Sequence, residues 1–211
     1  MYIGRIVAAG MTRDGRVAAG YRVSSRSFPN RTARLTGDKV SIMPRAGFES
    51  DLSKNPYIAY NCLRLCGKTA LVTNGSQTDP IIEKIIAGMN LRDAFALPLL
   101  AMDYEKDSLD TPRIVAVAGR VSKVGYLGII RKDALLVREF PLRPGEARYI
   151  STYGKNSPCD DNVDRNFDGA CENCAANYVV GGGVFADFEN PVTAAAAMDN
   201  GDGFSLATVI C

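Results

Sequence analysis

Three polar clusters interrupt apolar stretches of this chain, and the first is rich in groups that bind anions. It spans residues 22–31 and contains three Arg, three Ser and one Asn. Guanidinium groups bind phosphate or carboxylate in a planar, bidentate geometry, and hydroxyls supply further donors beside them. The cluster therefore predicts a site for a small anionic ligand, while its Ser and Pro residues are also typical of a surface loop.

The other two clusters flank the longest predicted helix. Residues 74–79 directly precede it. The free N–H groups of a helix N-terminus favour an anion or an amide there, and a simple capping loop explains the same residues. Residues 103–107 follow the helix and bring carboxylates, a phenol and an ammonium together. Such groups shift one another's pKa values toward acid and base roles, although a charge run is also typical of a solvated helix end.

The chain contains no His, and this restricts its chemistry. Ser-His-Asp and Cys-His nucleophilic schemes are excluded, as is every zinc site that needs a His ligand. Proton transfer therefore falls to carboxylates, Tyr, Lys or Arg. The 46% of hydrophobic and 23% of charged residues are typical of a globular protein.

The net charge of +2 conceals an asymmetry along the chain. Residues 151–211 carry two basic and nine acidic side chains, so the first 150 residues are strongly basic. The total excess is small and no basic helix is present, so we expect no nucleic-acid partner. No stretch approaches the roughly 20 apolar residues that span a bilayer, and no signal peptide is recognisable, so we expect no membrane partner and a cytoplasmic location.

Six cysteines without a secretion signal indicate reduced thiols rather than a disulfide framework. Cys159, Cys171 and Cys174 lie in an acidic, Gly-rich segment, residues 155–183. A zinc site there would need a further ligand, and Cys171-x-x-Cys174 alternatively predicts a redox pair. Residues 164–175 imitate a calcium loop but end in Ala where a bidentate Glu is required. We expect free thiols and no metal site.

Strand signals dominate the rest of the chain. Residues 2–9 and 16–23 predict a hairpin, because Asp14-Gly15 between them is a strong turn signal. A helix is predicted from Ile81 to about Met102, bent near Pro98 and capped by Asp79, with a shorter helix near residues 170–179. Further strands are predicted at 39–43, 57–65, 69–73, 113–118, 124–130, 134–140, 147–153, 191–198 and 203–210. This pattern predicts an α+β fold with stacked antiparallel sheets flanked by helices.

The polar segments resemble the archaeal-type IMP cyclohydrolase family. The matching segments are residues 21–31 (YRVSSRSFPNR), 55–57 (NPY), 60–61 (YN), 74–76 (NGS), 78–80 (TDP), 102–107 (MDYEKD) and 111–113 (TPR). The resemblance covers roughly residues 1–153 and returns weakly at 188–192 and 201–204. The chain departs from the family pattern at Gln77, where the family has His, and over residues 155–183.

The resemblance implies one domain, residues 1–211, with 155–183 as an acidic Cys-rich insertion, and a four-layered αββα sandwich of the Ntn-hydrolase type. It also implies the last step of de novo purine biosynthesis. In this step 5-formamidoimidazole-4-carboxamide ribotide (FAICAR) closes its ring to inosine monophosphate (IMP) and loses water. No cofactor is expected, and the family implies assembly as a homo-oligomer. Tyr2 supplies no N-terminal nucleophile, which agrees with a ring closure that needs none.

Ring closure requires that the protein hold a carboxamide nitrogen against a formyl carbon and move protons. The chemistry and the motif positions together predict catalytic groups and substrate contacts. The predicted catalytic residues are Tyr60, Asp103, Glu105, Lys106 and Arg113. The predicted substrate contacts are Arg22, Ser24, Ser25, Arg26, Asn30, Arg31, Asn61, Asn74, Ser76 and Thr78.

Two other functions stay open at this point. One is an Ntn-like amidohydrolase acting on a formyl or cyclic amide, which Tyr at position 2 disfavours. The other is a non-catalytic module that binds a purine nucleotide through the Arg-rich cluster.

Overall fold

The computed structural model describes residues 1–211 and consists of two antiparallel sheets with helices on their outer faces. The strands are β1 (Ile6–Met11), β2 (Val17–Ser24), β3 (Arg31–Thr36), β4 (Lys39–Pro44), β5 (Tyr60–Cys66), β6 (Thr69–Thr73), β7 (Arg113–Gly119), β8 (Val124–Arg131), β9 (Ala134–Pro141), β10 (Glu146–Ser151), β11 (Val163–Asp164), β12 (Pro191–Asp199) and β13 (Phe204–Ile210). The α-helices are α1 (Asp51–Lys54), α2 (Thr78–Ile86), α3 (Leu91–Met102) and α4 (Glu172–Gly181), and short 3-10 helices span Pro56–Ile58 and Gly183–Asp187.

The strand order is β11-β10-β1-β2-β12-β13 in the first sheet and β3-β4-β5-β6-β7-β8-β9 in the second. The two sheets pack face to face over one apolar cluster, to which β1 contributes Val7 and Ala9. The other face of β1, which carries Ile6 and Ala8, is also buried, because α4 and the segment after it cover the first sheet. The α+β class with two antiparallel sheets is confirmed.

Helices α2 and α3 cover the outer face of the second sheet. Ile81 and Ile82 of α2 and Phe95 and Leu99 of α3 pack on the outward-facing residues of β6 and β7. On the opposite side α4 lies so close to β2 that a Cβ atom at Gly20 would come within 2.6 Å of Val179. The order of layers is therefore helix, sheet, sheet, helix.

The predicted hairpin is confirmed, with Ile6 opposite Arg22 and Met11 opposite Val17. Gly15 adopts φ +88° in the turn, a conformation that glycine tolerates best. The prediction of one long helix over 81–102 is wrong. Gly88 breaks it with φ +83°, and the side chain of Asn90 caps α3 by accepting a hydrogen bond from Asp93 N.

Three further differences concern local structure. Asp79 lies in the first turn of α2 and does not cap it, since Gln77 is the N-cap residue and no side chain caps the helix. Strand β3 and the short helix α1 lie where the sequence predicts no element. The segment 155–183 supplies β11 and α4, so much of it is part of the layered fold. None of the helices combines the length and the hydropathy that crossing a bilayer demands.

Candidate active site

An open pocket of about 580 Å³ lies at the edge of the sandwich opposite the turn of the β1–β2 hairpin. The segment before β1, the loop after β2, the start of β3, the chain before β5, the loop after α3 and the chain after β10 all contribute to it. Its lining residues are Tyr2, Arg5, Ser25, Ser27, Phe28, Arg31, Asn55, Tyr57, Ile58, Glu105, Asp107, Ser108, Leu109 and Tyr153. Charged, hydroxyl and aromatic side chains converge on this pocket, which is typical of a site for a small polar ligand.

Glu105 is the most unusual group in this pocket, because its carboxyl side chain is only 1% exposed. Its Oε2 accepts a hydrogen bond from Arg5 Nη2 at 3.2 Å. Its Oε1 lies 3.7 Å from Arg113 Nη1 and has no hydrogen-bond partner. A buried carboxylate oxygen without a partner is costly, so this atom is available to a ligand that donates a proton.

Burial raises the pKa of Glu105 to about 7, although the positive charges of Arg5 and Arg113 favour its ionised form. Desolvation therefore outweighs attraction at this carboxyl. A carboxyl that titrates near neutral pH accepts and returns a proton with similar ease, which is the property of a general acid–base group. In a chain without His, Glu105 is the side chain best suited to this role.

The loop that carries Glu105 is held in place by its own hydrogen bonds. Glu105 N donates to Thr111 O at 2.8 Å. Thr111 N and Oγ1 donate to the two carboxylate oxygens of Asp107 at 2.9 and 2.7 Å. The hydroxyls of Thr111 and Tyr153 lie 2.9 Å apart. The third polar cluster is thus an ordered loop rather than a solvated helix end.

Arg113 is fixed beside Glu105 by a chain of buried polar groups. Its Nε donates to Asp103 O at 2.8 Å and its Nη1 donates to Gln77 Oε1 at 3.1 Å. Gln77 Nε2 donates in turn to Asn74 Oδ1 at 2.9 Å. Gln77 therefore positions a charged neighbour of Glu105.

Two arginines offer donors that the protein itself leaves free. Arg31 is 3% exposed, and its Nε donates to Phe28 O at 3.1 Å while no protein group bonds with its two terminal nitrogens. Ser25 lies on the same wall, where its Oγ accepts from Phe28 N at 3.0 Å. The Nε of Arg5 is buried without a partner. Both guanidinium groups are thus placed to bind an anion or a developing negative charge.

Tyr60 lies next to these arginines but does not line the pocket. Its hydroxyl lies 2.5 Å from the hydroxyl of Tyr21, and both rings are buried. Burial raises the pKa of Tyr60, and the charges of Arg31 and Arg5 counteract this effect. The phenol therefore stays protonated, and it shares with Tyr21 a hydrogen bond in which either hydroxyl can donate.

The structure does not bring Arg22 and Ser24 to the pocket. Arg22 is fully buried beneath the segment that follows α4. Its guanidinium donates to the carbonyl groups of Val180, Phe185, Phe188 and Glu189, and its Nε donates to Ser24 Oγ. All donors of Arg22 are thus used inside the protein, and none is left for a phosphate.

Asn61, Asn74 and Thr78 likewise satisfy one another and their neighbours. Asn61 accepts from Ser41 Oγ and donates to Asp79, while Asn74 donates to Pro112 O and accepts from Ile114 N. The hydroxyl of Thr78 lies within hydrogen-bonding distance of Gly75 O, at 2.9 Å. Their hydrogen bonds link the second polar cluster, residues 74–79, to strands β5 and β7. None of these residues lines the pocket.

The remaining predicted residues lie at or outside the rim. Asp103 and Lys106 form an exposed ion pair at 2.5 Å, and Lys106 lines a shallow groove continuous with the pocket through Tyr57. Arg26 is exposed and stacks over the Tyr2 ring at 4.3 Å. Asn30 and Ser76 do not line the pocket.

Sequence reasoning missed Arg5, Tyr2 and Tyr153. Arg5 is the one charged residue in the first apolar stretch, and that isolation was the available signal. Tyr2 and Tyr153 face each other with ring centroids 6.1 Å apart, although they are far apart in the sequence. No group of three or more Cys, Asp or Glu side chains is arranged to hold a metal ion.

Comparisons with known proteins agree over nearly the whole chain. The sequence profile of a family described as IMP cyclohydrolase-like protein matches residues 2–203. A Methanocella arvoryzae protein named IMP cyclohydrolase is 51% identical over 207 residues, which cover 98% of this chain and 96% of the relative. A Methanosphaera stadtmanae protein of the same name is 47% identical over 199 residues, covering 94% and 95%. A Methanocaldococcus jannaschii protein of that name is 40% identical over 209 residues, covering 99% and 98%. The chain therefore belongs to the IMP cyclohydrolase-like protein family.

Proposed function

We propose that this protein is an IMP cyclohydrolase, which closes FAICAR to IMP with loss of water. The relatives that carry this name support the proposal. The single structural observation that carries it is Glu105, a buried carboxyl with a free oxygen between Arg5 and Arg113. Neither alternative function is favoured, because the relatives carry the cyclohydrolase name and because a binding module has no need of such a group.

The reaction moves two protons onto the formyl oxygen. The carboxamide nitrogen attacks the formyl carbon, a C–N bond forms, and this nitrogen loses one proton. The formyl oxygen leaves as water when the C–O bond breaks, with that proton and with a second one that the formamide nitrogen loses as its C=N bond forms. We assign the proton transfer to Glu105: its carboxylate accepts the carboxamide proton and its carboxyl returns it to the oxygen, and the same cycle carries the formamide proton.

Negative charge develops on the formyl oxygen during the attack, and Arg5 is placed to stabilise it. The guanidinium of Arg5 contacts Glu105 through Nη2 and keeps Nε free, so one side chain addresses both the base and the oxyanion. Tyr60 and Arg113 are positioning residues in this scheme, because neither lines the pocket. Tyr60 interacts electrostatically with Arg5 and Arg31, and Arg113 lies 3.7 Å from the carboxylate of Glu105. Asp103 and Lys106 neutralise each other at the rim and receive no proton-transfer role.

The ribose phosphate is assigned to the wall formed by Arg31, Ser25 and Ser27. Arg31 offers two terminal nitrogens without protein partners, and the two Ser residues line the same side of the pocket. A planar guanidinium with neighbouring hydroxyls is well suited to a phosphate. The rings of Tyr2, Tyr57 and Tyr153 supply aromatic faces for the planar base.

The fold supports an Ntn-hydrolase type assignment, which we propose together with a single domain over residues 1–211. The layers follow in the order helix, sheet, sheet, helix, and β12 and β13 from the end of the chain complete the sheet that β1 and β2 begin. In this scheme the layered scaffold holds a substrate that supplies its own nucleophile.

The direct test is a cyclisation assay. Protein treated with a chelator is incubated with FAICAR, and IMP formation is followed against a control without protein and against Glu105→Gln. Rapid IMP formation by the unchanged protein and its loss in the variant are expected. Saturable binding of IMP without any turnover would refute the proposal and favour the nucleotide-binding module.

A further inference from the structure

Two cysteines lie together at the start of α4, on the outer face of the first sheet. The Sγ atoms of Cys171 and Cys174 are 2.8 Å apart. Cys171 is the N-cap residue of α4, and its Sγ accepts a hydrogen bond from Cys174 N at 3.3 Å. A disulfide bond of about 2.05 Å is reached from this arrangement by a small movement of either side chain.

The surroundings of Cys174 favour a thiolate. The N-terminus of a helix carries a partial positive charge, and α4 with ten residues is long enough for this effect. Arg16 donates to Gly169 O and Ala170 O, the two carbonyl groups directly before Cys171, so its guanidinium lies next to the pair. Hydrogen bonds from Cys171 and from the main chain lower the pKa of Cys174.

The pair is also accessible. Cys174 lines an open groove of about 780 Å³ together with Arg13, Asp14, Arg16 and Asp168. The two arginines supply positive charge beside the sulfur, and Asp14 binds one of them at 2.6 Å. A small anionic disulfide can approach along this groove without any change in the fold.

None of the other four cysteines shares these properties. Cys62 is completely buried, and burial raises the pKa of its thiol. Cys66, Cys159 and Cys211 have no second sulfur within bonding reach, since Cys171 and Cys174 form the only sulfur–sulfur contact. Only Cys171 and Cys174 combine a partner, a helix N-terminus and an open approach.

We propose that Cys171 and Cys174 form a thiol–disulfide exchange site that reacts with low-molecular-weight disulfides entering the groove. The thiolate of one cysteine attacks a sulfur of the external disulfide, a mixed disulfide forms, and one external thiolate leaves. The second cysteine loses its proton to solvent and attacks the mixed disulfide, and the other external thiolate leaves. The pair is oxidised by two electrons and the external disulfide is reduced to two thiols.

This site is separate from the cyclohydrolase pocket. Arg13, Asp14 and Arg16 belong to the turn between β1 and β2, whereas Arg5 and Ser25 lie at the other end of the same hairpin. The eight residues of β2 between these ends span roughly 26 Å at about 3.3 Å per residue. Oxidation of the pair is therefore expected to leave the rate of IMP formation unchanged.

The test uses the folded, fully reduced protein and glutathione disulfide as the probe. Intact mass and peptide mapping are expected to show that the protein loses two hydrogen atoms, gains a Cys171–Cys174 bond and retains no glutathione. Cys171→Ser and Cys174→Ser are each expected to keep one glutathione on the remaining cysteine. Cys159→Ser and Cys211→Ser are the matched controls and should behave like the unchanged protein.

Ser at position 171 still supplies an oxygen that caps α4, so folding of that variant is preserved, and circular dichroism verifies this for both variants. Stable glutathione on the unchanged protein, reaction at Cys159 or Cys211 ahead of the pair, or two unreacted thiols at 171 and 174 would each overturn the proposal. Because the readout is covalent mass, its result is independent of whether FAICAR is cyclised.

Discussion

Replacing Glu105 by Gln is expected to stabilise the protein at alkaline pH while removing its activity. Burial raises the pKa of Glu105 from 4.5 to about 7. Between these values the unfolded chain has lost the proton and the folded protein still binds it. The unfolded state therefore binds fewer protons, and the free energy of unfolding falls as pH rises through this window. At 1.36 kcal/mol per pKa unit, the loss amounts to about 3 kcal/mol.

Gln has the shape of a protonated Glu and does not titrate. The free energies of unfolding of the variant and the unchanged protein are therefore expected to be similar below pH 4.5, where both states carry the protonated side chain. At pH 8 the variant is expected to be more stable by about 3 kcal/mol. Urea unfolding followed by Tyr fluorescence measures this difference, since the chain has nine Tyr and no Trp.

The catalytic effect of the same substitution has the opposite direction. Loss of general acid–base catalysis lowers kcat by a factor on the order of 10² to 10⁴. In the unchanged protein kcat/KM is expected to rise with pH through about 7, because the ionised carboxylate accepts the proton of the carboxamide. Glu83→Gln is the matched control, since Glu83 lies exposed on α2 and forms no ion pair.

Two results would refute this reasoning. If Glu105→Gln destabilised the protein by the same amount at low and at high pH, the carboxyl would be ionised throughout, and attraction by Arg5 and Arg113 would outweigh desolvation. If the variant kept its turnover, the proton would be carried by another group. Glu83→Gln is expected to change neither measurement.

Three further substitutions each test one role: binding of the phosphate, support of the fold, and positioning of the pocket groups. Arg31→Ala is expected to raise KM for FAICAR about 10- to 100-fold and to leave KM for the corresponding nucleoside, which lacks the phosphate, unchanged. An equal rise of KM in the exposed Arg34→Ala variant would contradict this. Arg22→Leu leaves buried carbonyl groups unpaired and is expected to lower the free energy of unfolding by about 3 kcal/mol or more. KM of the folded protein is expected to stay unchanged. A rise in KM without a loss of stability would show that Arg22 binds substrate. Tyr60→Phe removes the hydroxyl that forms a hydrogen bond with Tyr21, and it is expected to lower kcat about tenfold with little change in KM. An unchanged kcat in the cyclisation assay would show that Tyr60 has no part in the mechanism.

Local signals predicted most of the secondary structure. Asp14-Gly15 correctly predicts the first hairpin, and the strand patterns of residues 69–73 and 113–118 coincide with β6 and nearly with β7. The helix after residue 78 was predicted too long, because apolar residues recur at helical spacing on both sides of the break at Gly88. A periodic pattern alone does not show where packing divides a helix.

The first polar cluster shows where sequence reasoning stops. Arg22 and Arg31 are the same residue type nine positions apart, yet one ties down the segment after α4 and the other lines the pocket. Alternation along β2 determines that Arg22 lies on the face opposite Tyr21. Both faces of β2 are buried, and residues 180–189, whose position follows from the tertiary fold, cover the face that carries Arg22.

The sequence by itself determined the kind of chemistry available to this protein, since the absence of His and the spacing of its polar clusters limit proton transfer to a few side chains. Only the tertiary structure decided which of them acts. In the sequence, Glu105 is one residue of a charged segment. In the fold, it is enclosed by Arg113 and by Arg5, which lies one hundred residues earlier, and water is excluded from it. The shift of its pKa to about 7 is therefore a property of the folded pocket, because desolvation depends on what surrounds a group in space and not on its neighbours along the chain.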